Sequence, residues 1–462
     1  MILRIFKKDL PLRNLFFVIG EGALIYTAVL IAAFLRLDRA SCLSNVVLGK
    51  ALVIMVVCQA CLYYNELYDL KVTDTSRELG LRLTKAMGIA CIVLAVLYYC
   101  IPSLLIGRGT FFITLAFIIL LVVSWRYAYN WILKKNMFTE RVMILGDGRL
   151  SREIIDEIST RPDSGYQISA VISVNSNPSS GFSRGIPHFS MNRKLSELAE
   201  SLHTRKIIVA MDERRGMLPT DDLLRCRMKG IQVLEGETLY EELAGKIFVE
   251  KLNPSWLIFS DGFLKPRTVR FMKRATGLIV ASVGLLLILP LIGLIALAIK
   301  LDSKGPVIYR QNRCGKHGRI FKLCKFRSMI DNAEAGCGPC WATDNDRRVT
   351  GVGRILRKYR LDEIPQMWNV LKGDMSFVGP RPERPEFVEE LVEKIPYYSE
   401  RHVVEPGITG WAQVSYRYGA SVKDAQEKLK YDLFYIKNMS LVMDLIIIFK
   451  TAKIVLLKSG AR

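Results

Sequence analysis

Two adjacent carboxylates, Asp362 and Glu363, close a basic run that reads RRVTGVGRILRKYR, and Pro365 follows them almost at once. Acids set among so many cations are either a surface counter-charge or a centre that the cations serve. Other stretches share the character: GPVIYRQNRCGKHGRIFKLCKFRSM at 305–329, LKGDMSFVGPRPERPEF at 371–387, EPGITGWAQVSYRYG at 405–419 and KYDLFYIKN at 430–438. Such stretches make compact turns that aim cations and backbone N–H groups at an anion. A basic face resting on anionic lipid would need neither paired acids nor a Gly-Pro-Arg-Pro turn. The set suits chemistry on a phosphorylated substrate. Pro365 fits if Asp362 and Glu363 begin a helix, because its ring is tolerated in a first turn.

The whole composition agrees in sign. Of 462 residues, 65 are Lys or Arg and 44 are Asp or Glu, a formal net charge of +21. That suits phosphorylated substrates, an anionic membrane face or nucleic acid. A nucleic-acid partner would call for a recognisable module, and none stands in the chain. Hydrophobic residues make up 50% and mean hydropathy is +0.22, high for a wholly soluble protein. The cysteines, including CGPC at 337–340, fit no usual zinc spacing and read as reduced, incidental thiols.

The elements that must position the acids begin with four apolar stretches, at about 15–35, 46–64, 88–106 and 111–132, each near the ~20 residues that cross a bilayer core. No cleavable signal peptide is expected, since the first stretch lacks a small-residue cleavage site. Cations before the first, between the second and third (Lys71, Arg77, Arg82, Lys85) and after the fourth put both ends of a four-helix bundle in the cytoplasm. Next, RVMILGDGRLSREIIDEI and the alternating strands and helices after it read as a Rossmann-like α/β domain. Its turn, Gly146-x-Gly148-x-x-Ser151, lacks the third glycine of the dinucleotide fingerprint, which favours a structural or oligomerising domain over a nucleotide site. A fifth apolar run, 275–299, contains Pro290 and has Lys273, Arg274 and Lys300 at its ends. Positive flanks on both sides and a helix-breaking proline predict a re-entrant hairpin rather than a span.

KFRSM, RLDEIPQMWNVLKGDMSFVGPRP and PGITGWAQV, in that order after a proline-broken apolar helix, resemble the bacterial sugar transferase family, the monotopic polyprenyl-phosphate hexose-1-phosphate transferases. The similarity runs from about 271 to 462, and the whole layout resembles the family's large members that initiate exopolysaccharide or O-antigen assembly. The resemblance implies that a UDP-sugar gives its hexose-1-phosphate to undecaprenyl phosphate and leaves UMP. It makes Asp362 the nucleophile of a covalent phosphosugar enzyme and Glu363 the ligand of Mg²⁺. Lys325, Arg357 and Arg381 match the phosphate-contacting cations, Asp432 an active-site acid, and Gln413 and Arg417 nucleotide or sugar contacts. The expected fold class is a membrane α plus α/β protein. It comprises a four-helix transmembrane bundle (1–136), a Rossmann-like domain (137–255) and a catalytic α/β domain (256–462) whose re-entrant helix, 273–300, lies at the membrane interface. A homodimer in the bacterial inner membrane, with its catalytic domain cytoplasmic, is expected.

Two departures concern the hairpin. The family usually has an acid four residues after Lys273, where this chain has Gly277, and a small hydroxyl residue before Pro290, where it has Leu289. The first removes a partner for the basic pair and the second a hydroxyl for a freed carbonyl. Two other readings compete. A membrane-anchored nucleotide-sugar dehydratase would need an intact glycine fingerprint and a Tyr-x-x-x-Lys pair. A non-catalytic scaffold for polysaccharide export would not need the intact Asp-Glu pair and its cations.

Overall fold

The computed structural model describes residues 2–5, 8–36, 44–65, 67–68, 76–134, 139–161, 164–173, 185–191, 194–214, 216–250, 260–331, 333, 346, 348–416, 419 and 421–457. The chain divides into two compact units, 1–244 and 245–462. Arg417 and the CGPC cysteines lie outside the described residues.

The first unit opens with a short antiparallel pair, β1 (Ile2–Ile5) and β2 (Lys8–Pro11). Four long helices follow: α1 (Leu12–Phe34), α2 (Asn45–Tyr64), α3 (Ser76–Cys100) and α4 (Arg108–Lys134). All four are long and apolar enough to cross a membrane. Ile25, Ala51, Ile54, Ala86, Met87, Ile118 and Val122 place one hydrophobic core among them. The third helix differs from the expected stretch at 88–106: it starts twelve residues earlier and ends at Cys100, before Pro102. Arg77, Arg82 and Lys85 therefore ride on its first turns rather than in a loop. Glu78 pairs with Arg82 one turn on, and such charges keep a helix end in water while its backbone stays hydrogen-bonded. Two charges inside the apolar stretches find each other. Glu21 of α1 and Arg126 of α4 are both buried at 2.8 Å, and Arg126 also donates to Leu67 O. An ion in such surroundings is tolerable only when paired.

The same unit holds a five-stranded parallel sheet in the order β5-β4-β3-β6-β7, comprising β3 (Glu140–Leu145), β4 (Tyr166–Ser173), β5 (His188–Ser190), β6 (Lys206–Val209) and β7 (Gln232–Glu235). Helices α5 (Arg149–Ser159), α6 (Leu195–Ser201), α7 (Thr220–Met228) and α8 (Gly236–Ala244) alternate with the strands. The order reverses between β3 and β6, the doubly wound arrangement that the alternation predicts. At that reversal a nucleotide's pyrophosphate would sit on the N-terminus of α5. Here Asp212 occupies that place: its Oδ2 accepts from Arg149 N at 3.2 Å, and a Cβ on Gly148 would fall 2.3 Å from its carboxyl carbon. Ser151, at the missing third glycine, is buried and donates to both Gly146 O and Ala210 O at 2.9 Å. The hydroxyl ties the two loops together.

The second unit begins with α9 (Arg267–Asp302), assigned as one continuous helix with Pro290 inside it. Its first half buries Lys273, Gly277 and Ala281; its second half buries Ile295 and Ile299. The hairpin β8 (Ile308–Cys314) and β9 (Ile320–Phe326) follows, then α10 (Gly351–Lys358), α11 (Gln366–Lys372), β10 (Ser376–Val378), α12 (Pro385–Lys394), β11 (Gly407–Thr409), α13 (Trp411–Ser415), α14 (Val422–Asn438) and α15 (Leu441–Leu457). A capping box between Ser421 and Asp424 starts α14, whose Leu429, Leu433 and Tyr435 pack in one core with Leu391, Val378 and Ile447. The last helix, α15, buries Met443, Asp444 and Ile447 and exposes Val442, Leu445 and Phe449.

Candidate active site

Asp362 and Glu363 lie in the first turn of a helix, but of a short 3-10 one, Leu361–Glu363, that ends before Pro365. Pro365 caps the following α11. The turn is pinned on both sides: Leu361 and Ile364 pack with Ile295, Ile299, Phe326 and Leu356. Arg360, just before it, takes a left-handed φ of 55°, which reverses the chain after α10 and turns Asp362 inward, where it is buried. Asn369 of α11 fastens this arrangement to β9: its Oδ1 accepts from Cys324 N at 3.0 Å and its Nδ2 donates to Lys322 O at 2.8 Å. Lys325 is thereby set beside the turn.

Around Glu363 the cations converge. Arg381 Nη2 donates to its Oε1 at 2.6 Å, Lys325 Nζ to the same oxygen at 3.4 Å, and Arg360 Nη1 stands 3.9 Å from Oε2. Burial alone would raise the Glu363 carboxyl, but Arg381 and then Lys325 outweigh it and hold it well below the usual carboxylate range. Asp362 goes the other way. Burial raises its carboxyl, Lys325 opposes the rise, and the charge of Glu363 adds to it. Burial also pushes the Lys325 ammonium down, against the pull of Glu363. Two neighbouring acids with values pushed apart can take different tasks. One is a fixed anion among cations, the other a more basic carboxylate with electrons to share.

Arg381 follows β10, whose end runs against β11 as closely as backbones can. Gly379 N donates to Thr409 O and Gly407 N to Pro380 O, both at 2.8 Å. A Cβ on Gly407 would lie 2.1 Å from Gly379 N, so only glycine fits there.

The other predicted residues fall in different places. Arg357, in the last turn of α10, is among the charges that act on Asp362. Gln413 donates to Ile408 O at 3.1 Å, and its Oε1 is buried without a hydrogen-bond partner among the described residues. Asp432 is buried against Arg401, with Arg401 Nη2 2.8 Å from its Oδ2. Arg274 donates to Val370 O and Leu371 O, closing the end of α11. Lys273, for which Gly277 left no acid, has one after all: Asp444 Oδ2 stands at 3.1 Å, and Tyr435 OH and Val378 O also accept from it. No group of three or more metal-binding side chains stands together among the described residues. Mg²⁺ is usually held by one or two carboxylates and completed by substrate phosphates, and ionised Glu363 with Asp362 beside it fits that half-site.

Residues 268–458 match the model of the family described as bacterial sugar transferase. The UDP-galactose-lipid carrier transferase of Erwinia amylovora is 30% identical over 348 residues, 71% of this chain and 70% of that protein. The chain belongs to the bacterial sugar transferase family. A UDP-N-acetylgalactosamine-undecaprenyl-phosphate N-acetylgalactosaminephosphotransferase of Aeromonas hydrophila is 44% identical over 241 residues, 52% of this chain and 56% of that protein. The UDP-glucose:undecaprenyl-phosphate glucose-1-phosphate transferase of Escherichia coli (strain K12) is 45% identical over 186 residues, 39% of each chain. The matches to these last two span only about half of one protein and two fifths of the other. Three family relatives thus carry three different sugars in their names.

Reading the sequence missed Arg401, Arg313, Asn369 and Asp444. Each acts through a partner far along the chain, so no local spacing marks it. Arg401 alone carried a hint, an arginine beside a histidine just before the Glu-Pro-Gly turn.

Proposed function

We propose that this family member is an initiating phosphoglycosyl transferase that moves a hexose-1-phosphate from a UDP-sugar to undecaprenyl phosphate, for exopolysaccharide or O-antigen assembly. The observation that carries the reading is the buried Asp362 beside a Glu363 held by Arg381 and Lys325. An oxygen of Asp362 bonds to the phosphorus that bears the sugar as the bond from that phosphorus to the UMP oxygen breaks. UMP leaves with the electron pair. An oxygen of the lipid phosphate then bonds to the same phosphorus, and the Asp362 carboxylate departs. Glu363 would hold Mg²⁺, which when bound neutralises pyrophosphate charge. Arg381, Lys325 and Arg357 supply fixed positive charge where it builds on the transferring group.

The same reading places the protein in the bacterial inner membrane with a cytoplasmic catalytic domain, acting as a homodimer. Helices α1 to α4 form a transmembrane bundle with both ends inside, and α9 is a re-entrant hairpin. Both halves of α9 pack on the second unit: Ala281 with Val370 and Met375, Ile295 and Ile299 with Phe326 and Leu356. A straight 36-residue helix would run ~54 Å, well beyond a ~30 Å bilayer core. Pro290 leaves the Leu286 carbonyl without its helical donor, a natural place to bend.

The experiment is UMP release in membranes or detergent from a panel of UDP-hexoses plus undecaprenyl phosphate. One sugar is expected to be turned over. With that UDP-sugar alone, the intact mass should rise by one hexose phosphate, and Asp362→Asn should abolish both signals. Substantial turnover by Asp362→Asn would remove it as the nucleophile, and no release from any sugar would remove the reading.

A further inference from the structure

The segment Val378–Glu383, which presents Arg381, contains Pro380 and Pro382, neither of which has an N–H to hold it in a ladder. Beyond Gly379 N, which donates to Thr409 O at 2.8 Å, it hangs by its carbonyls. Lys273 Nζ donates to Val378 O at 2.7 Å, Gly407 N to Pro380 O at 2.8 Å, Arg401 Nη2 to Arg381 O at 3.0 Å, Arg313 Nη1 to Pro382 O at 3.1 Å and Cys314 N to Glu383 O at 2.9 Å. Tyr435 OH also donates to Val378 O at 3.3 Å; three of these six donors are side-chain cations, and they come from α9, β8 and the 3-10 turn Tyr398–Val403. Each cation has its own acid: Asp444 for Lys273, Glu383 for Arg313 at 3.7 Å and Asp432 for Arg401.

Of the three, Arg401 is the one that holds the carbonyl of Arg381 itself. Its buried guanidinium is divided among Tyr398 OH, Asp432 and the Arg381 carbonyl. Arginine's rigid fork can serve several acceptors at once, and a bond from an ion is about twice as strong as a neutral one. An arginine side chain is long and rotamer-rich, so its aim depends on where its own main chain is fixed.

We propose that Arg401, seconded by Arg313, is a positioning residue: it fixes the main chain of Arg381 so that the Arg381 guanidinium reaches Glu363 and the transferring phosphate. Asp432 is the counter-charge that keeps Arg401 in place, not an acid of the reaction. The catalytic half of this inference rests on the phosphoglycosyl transferase reading; the anchoring half does not.

Two measurements on the full chain separate these halves. In hydrogen exchange, Arg401→Lys keeps the charge and loses the fork. It should speed exchange of the 378–384 segment about tenfold while strands β3 and β6 stay as in the wild type. In UMP release, Arg401→Lys should lower kcat/KM about tenfold alone, but less than about twofold in an Arg381→Ala background, because the residue it positions is gone. Arg313→Lys, acting on the next carbonyl from another strand, should repeat both patterns, and it carries the test if Arg401→Lys does not fold. Unchanged exchange at 378–384 overturns the anchoring whatever the activity. Equal losses in both Arg381 backgrounds overturn the link to Arg381. If the wild type releases no UMP from any sugar, the functional reading fails and exchange alone decides the anchoring.

Discussion

Asp444→Asn should be among the most damaging single changes to the second unit, and Gly277→Asp should partly reverse it. The Lys273 ammonium is buried, with Val378 O at 2.7 Å, Asp444 Oδ2 at 3.1 Å and Tyr435 OH as its acceptors. Tyr435 OH in turn donates to Asp444 Oδ1 at 2.7 Å, so the acid balances one charge and orients one hydroxyl. Removing one partner of a buried ion pair costs about 3–5 kcal/mol, because the other charge stays behind. The amide oxygen introduced by Asp444→Asn would still accept one bond, worth about 1 kcal/mol, leaving an expected loss of about 2–4 kcal/mol. For a unit of this size that is a fall of about 5–15 °C in melting temperature. Gly277 lies one helical turn from Lys273, and the two line one small cavity with Asp444. A Cβ at 277 would meet nothing nearer than Phe377 N at 3.6 Å, an ordinary contact, so an aspartate can enter. In the wild type Gly277→Asp crowds a second carboxylate onto one cation and should destabilise by about 1–3 kcal/mol. In the Asp444→Asn background it should restore more than half of what was lost. Pulse proteolysis of the full chain in detergent, scored on peptides from 245–462, reads both. A loss below about 1 kcal/mol for Asp444→Asn, or the same sign for Gly277→Asp in both backgrounds, would refute the reasoning.

Arg360→Gly should raise stability by about 0.5–1 kcal/mol, since glycine takes the left-handed φ of 55° without a Cβ clash. UMP release should fall at the same time, because a charge 3.9 Å from Glu363 is lost. A melt paired with the assay checks this, and a drop in stability would count against the strain. The surroundings of Arg401 predict a pH effect. Burial pushes the Asp432 carboxyl up to about 6 against the pull of Arg401, while burial and then the Arg401 charge push His402 down to about 4. From pH ~4 to ~6 native Asp432 keeps a proton that the unfolded chain has released, so its contribution to stability falls as pH rises. From about 4 to 6.5 native His402 lacks a proton that the unfolded chain binds, so its contribution rises with pH. Asp432→Asn removes the falling slope, and its melting temperature should climb more steeply from about pH 4.5 to 6.5 than that of the wild type. An equal or shallower climb would rule out a raised Asp432.

The acids and their first cations were legible in the chain because they lie in dense local motifs. Asp362, Glu363 and Arg381 fall within one 20-residue stretch, and Lys325 stands in the next basic run. The apolar runs were legible for a similar reason, since hydropathy is summed over neighbours. Boundaries were less so. Arg77, Arg82 and Lys85 looked like loop charges, yet a helix can carry them on its first turns at no cost to its backbone bonds. The resemblance made Asp432 an active-site acid, but its ion pair with Arg401, thirty-one positions earlier, had no local signal.

The sequence alone determined the residue types that can do chemistry, the apolar stretches and the alternation that makes a parallel sheet, because each rests on neighbours or on a short period. The tertiary structure alone decided who answers whom. Asp444 answers Lys273 from 171 positions away, Asp212 takes the seat at the start of α5, and Arg401 holds the carbonyl of Arg381. These are side chains meeting in three dimensions, where desolvated charges and unladdered carbonyls must find partners wherever the fold brings them.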